Sequence, residues 1–489
     1  MGYQVCVRCV MDTSDSLIEF DEAGVCSHCR FVERDPRSRR SPAEKRRTLS
    51  ETADRIRAAG AGRDVDCVLG LSGGIDSSYL ALQAHKLGLR PLIVHVDTGW
   101  NSELATKNIE NIVRRLDLDL ITEVIDWDEM RDLQLAFLKS GVPNQDIPQD
   151  HAIVCSLHRI AVQEGIGWVL DGNNWASESV LPRSWGYDNL DAAHILAIHR
   201  RFGERPLRRF PLLPLSDCVR MIAGFPEPPY KRVSLLNLLD YSRETALAEL
   251  RETVGFRPYE GKHGESRFTR FFQGHILFNR FGYDKRRAHL SSLILSGQIG
   301  RDEALSTLEQ PPFDEDTLRV EKAFVAKKLG LAEAGLDELL AQPRRHHAEF
   351  PTGEALVQRS ATLLAQASRL CAEAAETLAA MDRHLGLRDP LDDFPPIDRS
   401  TPLFLYGTGV YGKRVLAALH RAGYGVTGFI DSTRDGVCEG LPVRTLGAYR
   451  DSHHPENQIL ICSQHAAEIA ALLDAAGITG YHRPRNAGV

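Results

Sequence analysis

The stretch VDCVLGLSGGIDSSYLALQAHKLG, residues 65–88, constrains this chain more than any other. A short apolar run of strand type enters two adjacent glycines, Gly73 and Gly74, and leaves at once as an amphipathic helix that stops at Gly88. A strand that feeds a helix through a tight glycine turn is half of a parallel βαβ unit. The alternation continues through PLIVHVD, NSELATKNIENIVRRL, LDLITEVIDW and HRIAVQEGIGWVLDGNN, which read as strand, helix, strand, and helix followed by strand. The expected fold is therefore α/β, built on a doubly wound parallel sheet.

In such sheets a ligand sits beyond the carboxyl ends of the strands, where a glycine turn meets a helix N-terminus. Gly73 and Gly74 leave backbone N–H groups free to face an anion. Ser72, Ser77 and Ser78 add hydroxyl donors, and the helix terminus favours negative charge. The Walker pattern G-x4-G-K-[ST] is missing here, so the loop is a different kind of phosphate cradle. Asp76 inside an anion site makes sense as a ligand for Mg2+ carried on the phosphates.

Four of ten cysteines fall in the first 29 residues. Cys6 and Cys9 form one C-x2-C pair, Cys26 and Cys29 a second, with sixteen residues between the pairs. Two such knuckles can place four thiolates tetrahedrally around one Zn2+. Four sulfurs leave no open position, so the metal is expected to be structural and to supply most of the folding energy of so small a module.

A length of 489 residues exceeds what one core supports. The net charge of −7 disfavours nucleic acid as a partner. No apolar run reaches the roughly 18–20 residues of a membrane span, and MGYQVCVRCV lacks a secretory layout. A cytoplasmic setting, with reduced thiols, is expected.

SGGIDS resembles the pyrophosphate loop of the ATP pyrophosphatase (PP-loop) superfamily, whose members split ATP between the α and β phosphates. That resemblance implies that Val96 and Asp97 lie near the adenosine, and that Asp171, Gly172 and Asn173 also face the nucleotide. Three longer stretches narrow it: CVRCVMDTSDSLIEFDEAGVCSHC, LDGNNWASESVLPRSWGY and KHGESRFTRFFQGHILFNRFGYDKRRAHLSSLILSGQIGRDEAL. Together they resemble the N-acetyl sugar amidotransferase family of lipopolysaccharide and surface-glycan biosynthesis, over roughly residues 3–350. The resemblance implies conversion of the acetamido group of a nucleotide-linked sugar into an acetamidine. Ammonia would come from a separate glutaminase, usually with a cyclase-like companion. The chain itself shows no convincing glutaminase signature, so a partner chain or solution must supply the nitrogen.

This reading gives five expected regions: a zinc ribbon (1–32), the PP-loop domain (33–230), a mainly helical substrate and pyrophosphate region (231–350), a helical linker (351–398) and a Rossmann-like tail (399–489). Lys262, Arg267, Arg270, Lys285, Arg286 and Arg287 are candidates for the departing pyrophosphate, since guanidinium forks suit phosphate oxygens. Lys262 is expected on phosphate, and His263 or Glu265 on the incoming ammonium. A solvated charged patch is the alternative. Glu178 and Ser179 either line the sugar site, hold metal, or belong to an ordinary helix start. Trp175 and Trp185 are expected to pack in the core.

Two rival readings come from other features. A tRNA-thiolating PP-loop enzyme would need cysteines near the nucleotide, and only Cys155 is placed for that. A nucleotide-sugar sensor would use the tail, where Gly407, Gly409 and Gly412 stand between a strand and a helix and Asp431 ends the next strand, nineteen residues after Gly412. That spacing fits a dinucleotide fingerprint. Asp431 either accepts a ribose hydroxyl or caps the following turn. The tail departs from the amidotransferase pattern, which ends near residue 350–380.

Overall fold

The computed structural model describes residues 2–224, 229–259, 264–385, 391, 394–463 and 465–484. Within this range the chain forms two compact units, Met1–Leu364 and Ala365–Val489. Lys262 and His263 lie outside the described residues.

The first unit holds a five-stranded sheet of β1 (Cys67–Gly70), β2 (Pro91–Asp97), β3 (Leu120–Val124), β4 (Trp168–Leu170) and β5 (Lys231–Val233), in the order β3-β2-β1-β4-β5. Every pairing is parallel. Along β1, Cys67 and Leu69 enter one apolar cluster while Val68 enters another, and along β2 Ile93 opposes Leu92, Val94 and Val96 in the same way. Both faces are thus covered by helices, as a parallel sheet requires. The chain winds outward from β1 to β3 and then returns to place β4 on the other side of β1. That reversal opens a crevice at the carboxyl ends of β1 and β4.

β5 departs from the sequence reading, which ended the strand alternation near residue 230 and expected a mainly helical region at 231–350. Three residues are too few to show a strand periodicity. Its pairing with β4 supplies what the sequence did not. The remainder of the unit is helical, including a ten-residue π-helix at Phe272–Phe281.

The N-terminal ribbon is docked on the unit rather than hung from it. Arg301 donates to the carbonyls of Cys9 (3.0 Å) and Cys6 (2.8 Å), and Trp185 Nε1 donates to Ser14 O at 3.2 Å. Val10, Met11 and the four cysteines are fully buried, and Val180, Trp185 and Ala288 share the cysteines' apolar cluster.

The second unit carries a six-stranded sheet of β6 (Leu403–Tyr406), β7 (Gly428–Asp431), β8 (Gly436–Cys438), β9 (Leu441–Thr445), β10 (Gln458–Ile461) and β11 (Tyr481–His482), ordered β11-β10-β6-β7-β9-β8. Only the β8–β9 pair is antiparallel. No helix among the described residues is long and apolar enough to cross a membrane.

A buried histidine pair closes the first unit near its end. His347 Nε2 accepts from the Asn144 amide at 3.2 Å, so its Nδ1–H donates to His194 Nε2 at 2.9 Å. Burial, with the neighbouring His194 and His346, pushes His347 down to about 3. A buried base held neutral gives stability that is complete above the unfolded value of about 6.5 and is lost as pH falls through it. Folding free energy is expected to drop by roughly 2 kcal/mol between pH 7 and pH 5. Denaturant titrations at the two pH values check this, and a His347→Leu variant should lose most of the slope.

Candidate nucleotide site and its metal centre

The phosphate loop takes its shape from one close approach. Gly73 adopts φ +80°, and a Cβ there would lie 2.6 Å from the Ala105 carbonyl of helix Glu103–Leu116. Only glycine satisfies both conditions. Ser72 is then fixed by a ring of short bonds: its amide donates to Ser77 Oγ (3.2 Å), and its hydroxyl accepts from the Gly74 amide (3.2 Å). The helix Ile75–Lys86 starts at Gly74 with no side-chain cap. Ser78 Oγ is buried without a hydrogen-bond partner. An uncapped helix start beside an orphaned hydroxyl is chemistry suited to an anion.

The neighbouring strand ends converge on this loop. A Cβ on Gly172 would lie 3.3 Å from the Ser77 amide, so the turn after β4 faces the helix start. Asp171 is held by Arg232 (2.8 Å) and Ser234 (2.6 Å), and it accepts from the exposed Asn173 amide at 3.1 Å. Val96 is buried in the sheet core, whereas Asp97 accepts from the Gly99 amide (2.8 Å) and Asn101 Nδ2 (3.0 Å). Asn101 also donates to His95 Nε2 at 3.0 Å, which leaves the His95 Nδ1–H for the Leu71 carbonyl at 3.0 Å. The ends of β1 and β2 are thereby locked together.

Sequence reasoning missed two tyrosines. Tyr241 donates to Asp76 Oδ1, and Tyr259 donates to the Gly73 carbonyl. Burial first, then the Asp76 charge, pushes the Tyr241 hydroxyl far above its ordinary range, with Glu178 acting the same way and Arg243 opposing. Asp76, Glu178 and Arg243 therefore share one electrostatic neighbourhood. Both tyrosines lie over 160 residues beyond the loop, outside any local motif. Hard carboxylate oxygens from Asp76 and Glu178 suit Mg2+.

Glu265 sits over the loop: its carboxylate would lie 3.3 Å from a Cβ on Gly74. The bonds from the Ser102 amide to Glu265 O (2.8 Å) and from the Arg267 amide to Trp100 O (2.9 Å) hold this segment to the turn after β2. Beneath it lies a buried polar chain that the sequence did not suggest. Thr98 and Ser266 donate to Gln149 Oε1 at 3.1 Å each, and Gln149 Nε2 donates to Asp146 at 2.7 Å. Burial and the nearby Asp150 hold the Asp146 carboxyl well above the usual carboxylate range, against donation from Thr269 and Gln149 and the charge of Lys285.

The basic stretch divides. Arg267 bonds Glu321 (3.0 Å) and stacks 3.4 Å over Phe324, and Arg270 approaches the same carboxylate at 3.9 Å. Arg286 forks onto Asp284 and reaches the Gln310 carbonyl (2.7 Å). Arg287 grips Asp12 (2.9 Å) and the Val10 carbonyl (2.8 Å) of the ribbon. These bonds tie Arg286 and Arg287 into the fold, as Glu321 does for Arg267 and Arg270. Arg243, by contrast, was unforeseen.

Glu178 ends a short helix capped by Asn174, whose Oδ1 accepts from the Ser177 amide at 2.8 Å. Ser179, which follows it, is half-buried. Trp185 is buried and stacked on Tyr283, as expected; Trp175 is half-buried between Phe31 and Arg37. Cys155 shares an apolar cluster with Cys218, and burial pushes both thiols up to about 11, the inert state of a structural cysteine.

The four ribbon thiols meet: all Sγ atoms lie within 4.8 Å of one another, with Cys6–Cys29 at 3.9 Å and Cys9–Cys26 and Cys26–Cys29 at 3.6 Å. A tetrahedron with Zn–S bonds of about 2.3 Å has edges of about 3.8 Å, so the set fits zinc. Amides of Arg8, Cys9 and Cys26 donate to Cys6 Sγ, as they would to a thiolate.

In the second unit, Gly407 (φ +116°) turns against the Cys462 carbonyl, and a Cβ on Gly412 would meet Gly407 O at 2.0 Å. Gly409 has open space beside it. Asp431 accepts from Thr408 Oγ1 (2.8 Å) and the Thr433 amide (3.1 Å), so it does cap its turn.

Comparison with known proteins adds a family match over part of the chain. Residues 265–364 match the model described as LPS biosynthesis protein WbpG-like, C-terminal domain. No curated protein matches the chain. Among solved structures it is similar to NMN synthetase from Francisella tularensis, at 15% identity over 60% of this chain and 98% of that chain, with a TM-score of 0.29.

Gly74 has an extended, negative φ that alanine tolerates, yet the added methyl would press on Ser72 Oγ (3.2 Å) and Glu265. Gly74→Ala is expected to keep the unfolding midpoint within a few degrees while weakening ATP binding at least tenfold, read by calorimetry. Replacing Cys9 by serine should remove the zinc and, because of the docking bonds, raise amide hydrogen exchange in segments 180–185 and 285–295 together with the ribbon.

Proposed function

We propose that the chain is an ATP-dependent, AMP-forming amidotransferase acting on a nucleotide-linked N-acetyl sugar. The observation that carries this reading is the seat of Glu265: the first residue of the segment matching an LPS biosynthesis domain lies directly over the phosphate loop. Chemistry then limits the options. An amide oxygen is a poor leaving group, so the acetamido carbonyl oxygen attacks the α-phosphorus of ATP and pyrophosphate departs. Ammonia adds to the resulting O-adenylyl imidate, AMP leaves, and an acetamidine remains after loss of a proton.

Each step has residues suited to it. Backbone amides of Gly74 and Ile75 and the hydroxyls of Ser72, Ser77 and Ser78 bind the departing phosphates. Arg243 adds positive charge on the Asp76 side of the loop, and Arg267, Arg270 and Lys285 remain candidates for the pyrophosphate, as does Lys262, which lies outside the described residues. Asp76 and Glu178 would hold magnesium, which neutralises pyrophosphate charge when bound. Tyr241 fixes the Asp76 carboxylate and Tyr259 fixes the loop backbone. Glu265, with His263, orients the ammonium and accepts its proton. Glu265 over Gly74 and Tyr259 on the Gly73 carbonyl help to keep water, which would regenerate the amide, away from the loop. The ammonia comes from a partner glutaminase with a cyclase-like companion, and the setting is cytoplasmic. The tail adds a second nucleotide-sugar pocket at Gly407, Gly409 and Gly412.

Incubation with ATP, Mg2+, ammonium and UDP-N-acetyl sugars should give AMP, pyrophosphate and a product one mass unit lighter than the acetamide. Formation of ADP and orthophosphate would contradict the reading. Asp76→Asn is expected to lower AMP formation at least a hundredfold with an unchanged circular dichroism spectrum.

A further inference from the structure

The π-helix Phe272–Phe281 borders a cavity of about 310 Å3 lined by His275, Asn279, Arg280, Gln342 and Arg344 among others. Arg280 is only 8% exposed. Its Nη2 donates to the carbonyls of Gln342 (3.0 Å) and Pro343 (3.4 Å), but Nε and Nη1 are buried with no hydrogen-bond partner. No carboxylate pairs with it among the described residues. A guanidinium keeps its charge, and a buried charge without a counter-ion is strongly unfavourable.

The surroundings make this worse rather than better. Arg344 and Arg345 add positive charge, and Arg345 is bonded to the Ser140 carbonyl at 2.9 Å. The acidic group near His275, Asp337, is paired with Lys322 at 2.7 Å. Asn279 Nδ2 donates to His275 Nδ1 at 3.0 Å, which leaves the Nε2–H of His275 as a donor. The lining named here thus offers guanidinium and N–H donors and no carboxylate.

We propose that this cavity is a second anion site, which binds the diphosphate of the nucleotide-linked sugar through Arg280, Arg344, Asn279 and His275. The volume exceeds that of a single phosphate and leaves room for attached groups. The inference rests on the substrate class proposed above, not on the adenylation chemistry.

The test is calorimetry on the full chain with the phosphate loop saturated by a non-hydrolysable α,β-methylene ATP analogue. UDP is expected to bind as a second ligand, at least tenfold more weakly in Arg344→Gln and in Asn279→Leu, with analogue affinity and unfolding midpoint unchanged. UDP binding that is absent, or equal in wild type and both variants, overturns the inference. A parallel titration with inorganic pyrophosphate separates the two sources of the anion. If the variants weaken pyrophosphate but not UDP, the site serves the free ion and the nucleotide-sugar assignment fails. Normal AMP formation without UDP binding sinks this inference alone, whereas UDP binding without AMP formation sinks the proposed reaction alone.

Discussion

The contact between Gly73 and the Ala105 carbonyl sets everything around it. A side chain there would meet the Ala105 carbonyl at 2.6 Å and push the loop off the helix Glu103–Leu116, and the positive φ would be strained as well. With glycine in place, the loop turns tightly enough for Ser72 to bond both Ser77 and Gly74, and the helix start is left uncapped toward the crevice. Strand order does the rest: because β4 returns to the far side of β1, Gly172 faces the same helix start. A local turn and a global winding rule thus define one small volume.

Two later segments add particular side chains to that volume. Tyr241 and Tyr259 come from the chain beyond β5 and bond directly to Asp76 and to the loop backbone. Glu265 follows and is pinned by backbone bonds to the turn after β2. The segment that begins there also carries the arginines that tie down the zinc ribbon. The four-cysteine ribbon and the helical region are thus packed together, and Val180 and Trp185, which follow Glu178 in the chain, share the cysteines' apolar cluster.

Much of this was legible in the sequence because its causes are local. The glycine turn, the strand alternation and the paired cysteines each act over fewer than thirty residues, so the parallel sheet, the loop and the four-thiol cluster were all readable. The tyrosines were not, since nothing near Tyr241 or Tyr259 signals a bond made to residues 165 or more positions earlier. Residue type alone is ambiguous: Arg286 and Arg287 hold neighbouring carboxylates and carbonyls, a use that composition cannot separate from anion binding. The buried Asp146 and Arg280 were invisible for a related reason: burial of a charge is decided by packing, not by spacing.

The proposed reaction requires the acetamido oxygen, rather than water, to meet the α-phosphorus of a nucleotide seated on the loop. Oxygen-18 placed in the acetamido carbonyl follows that bond directly. Mass spectrometry should find the label in the phosphate of the AMP formed, one atom per turnover. Unlabelled AMP, with the heavy oxygen retained in the sugar or released to water, would contradict it.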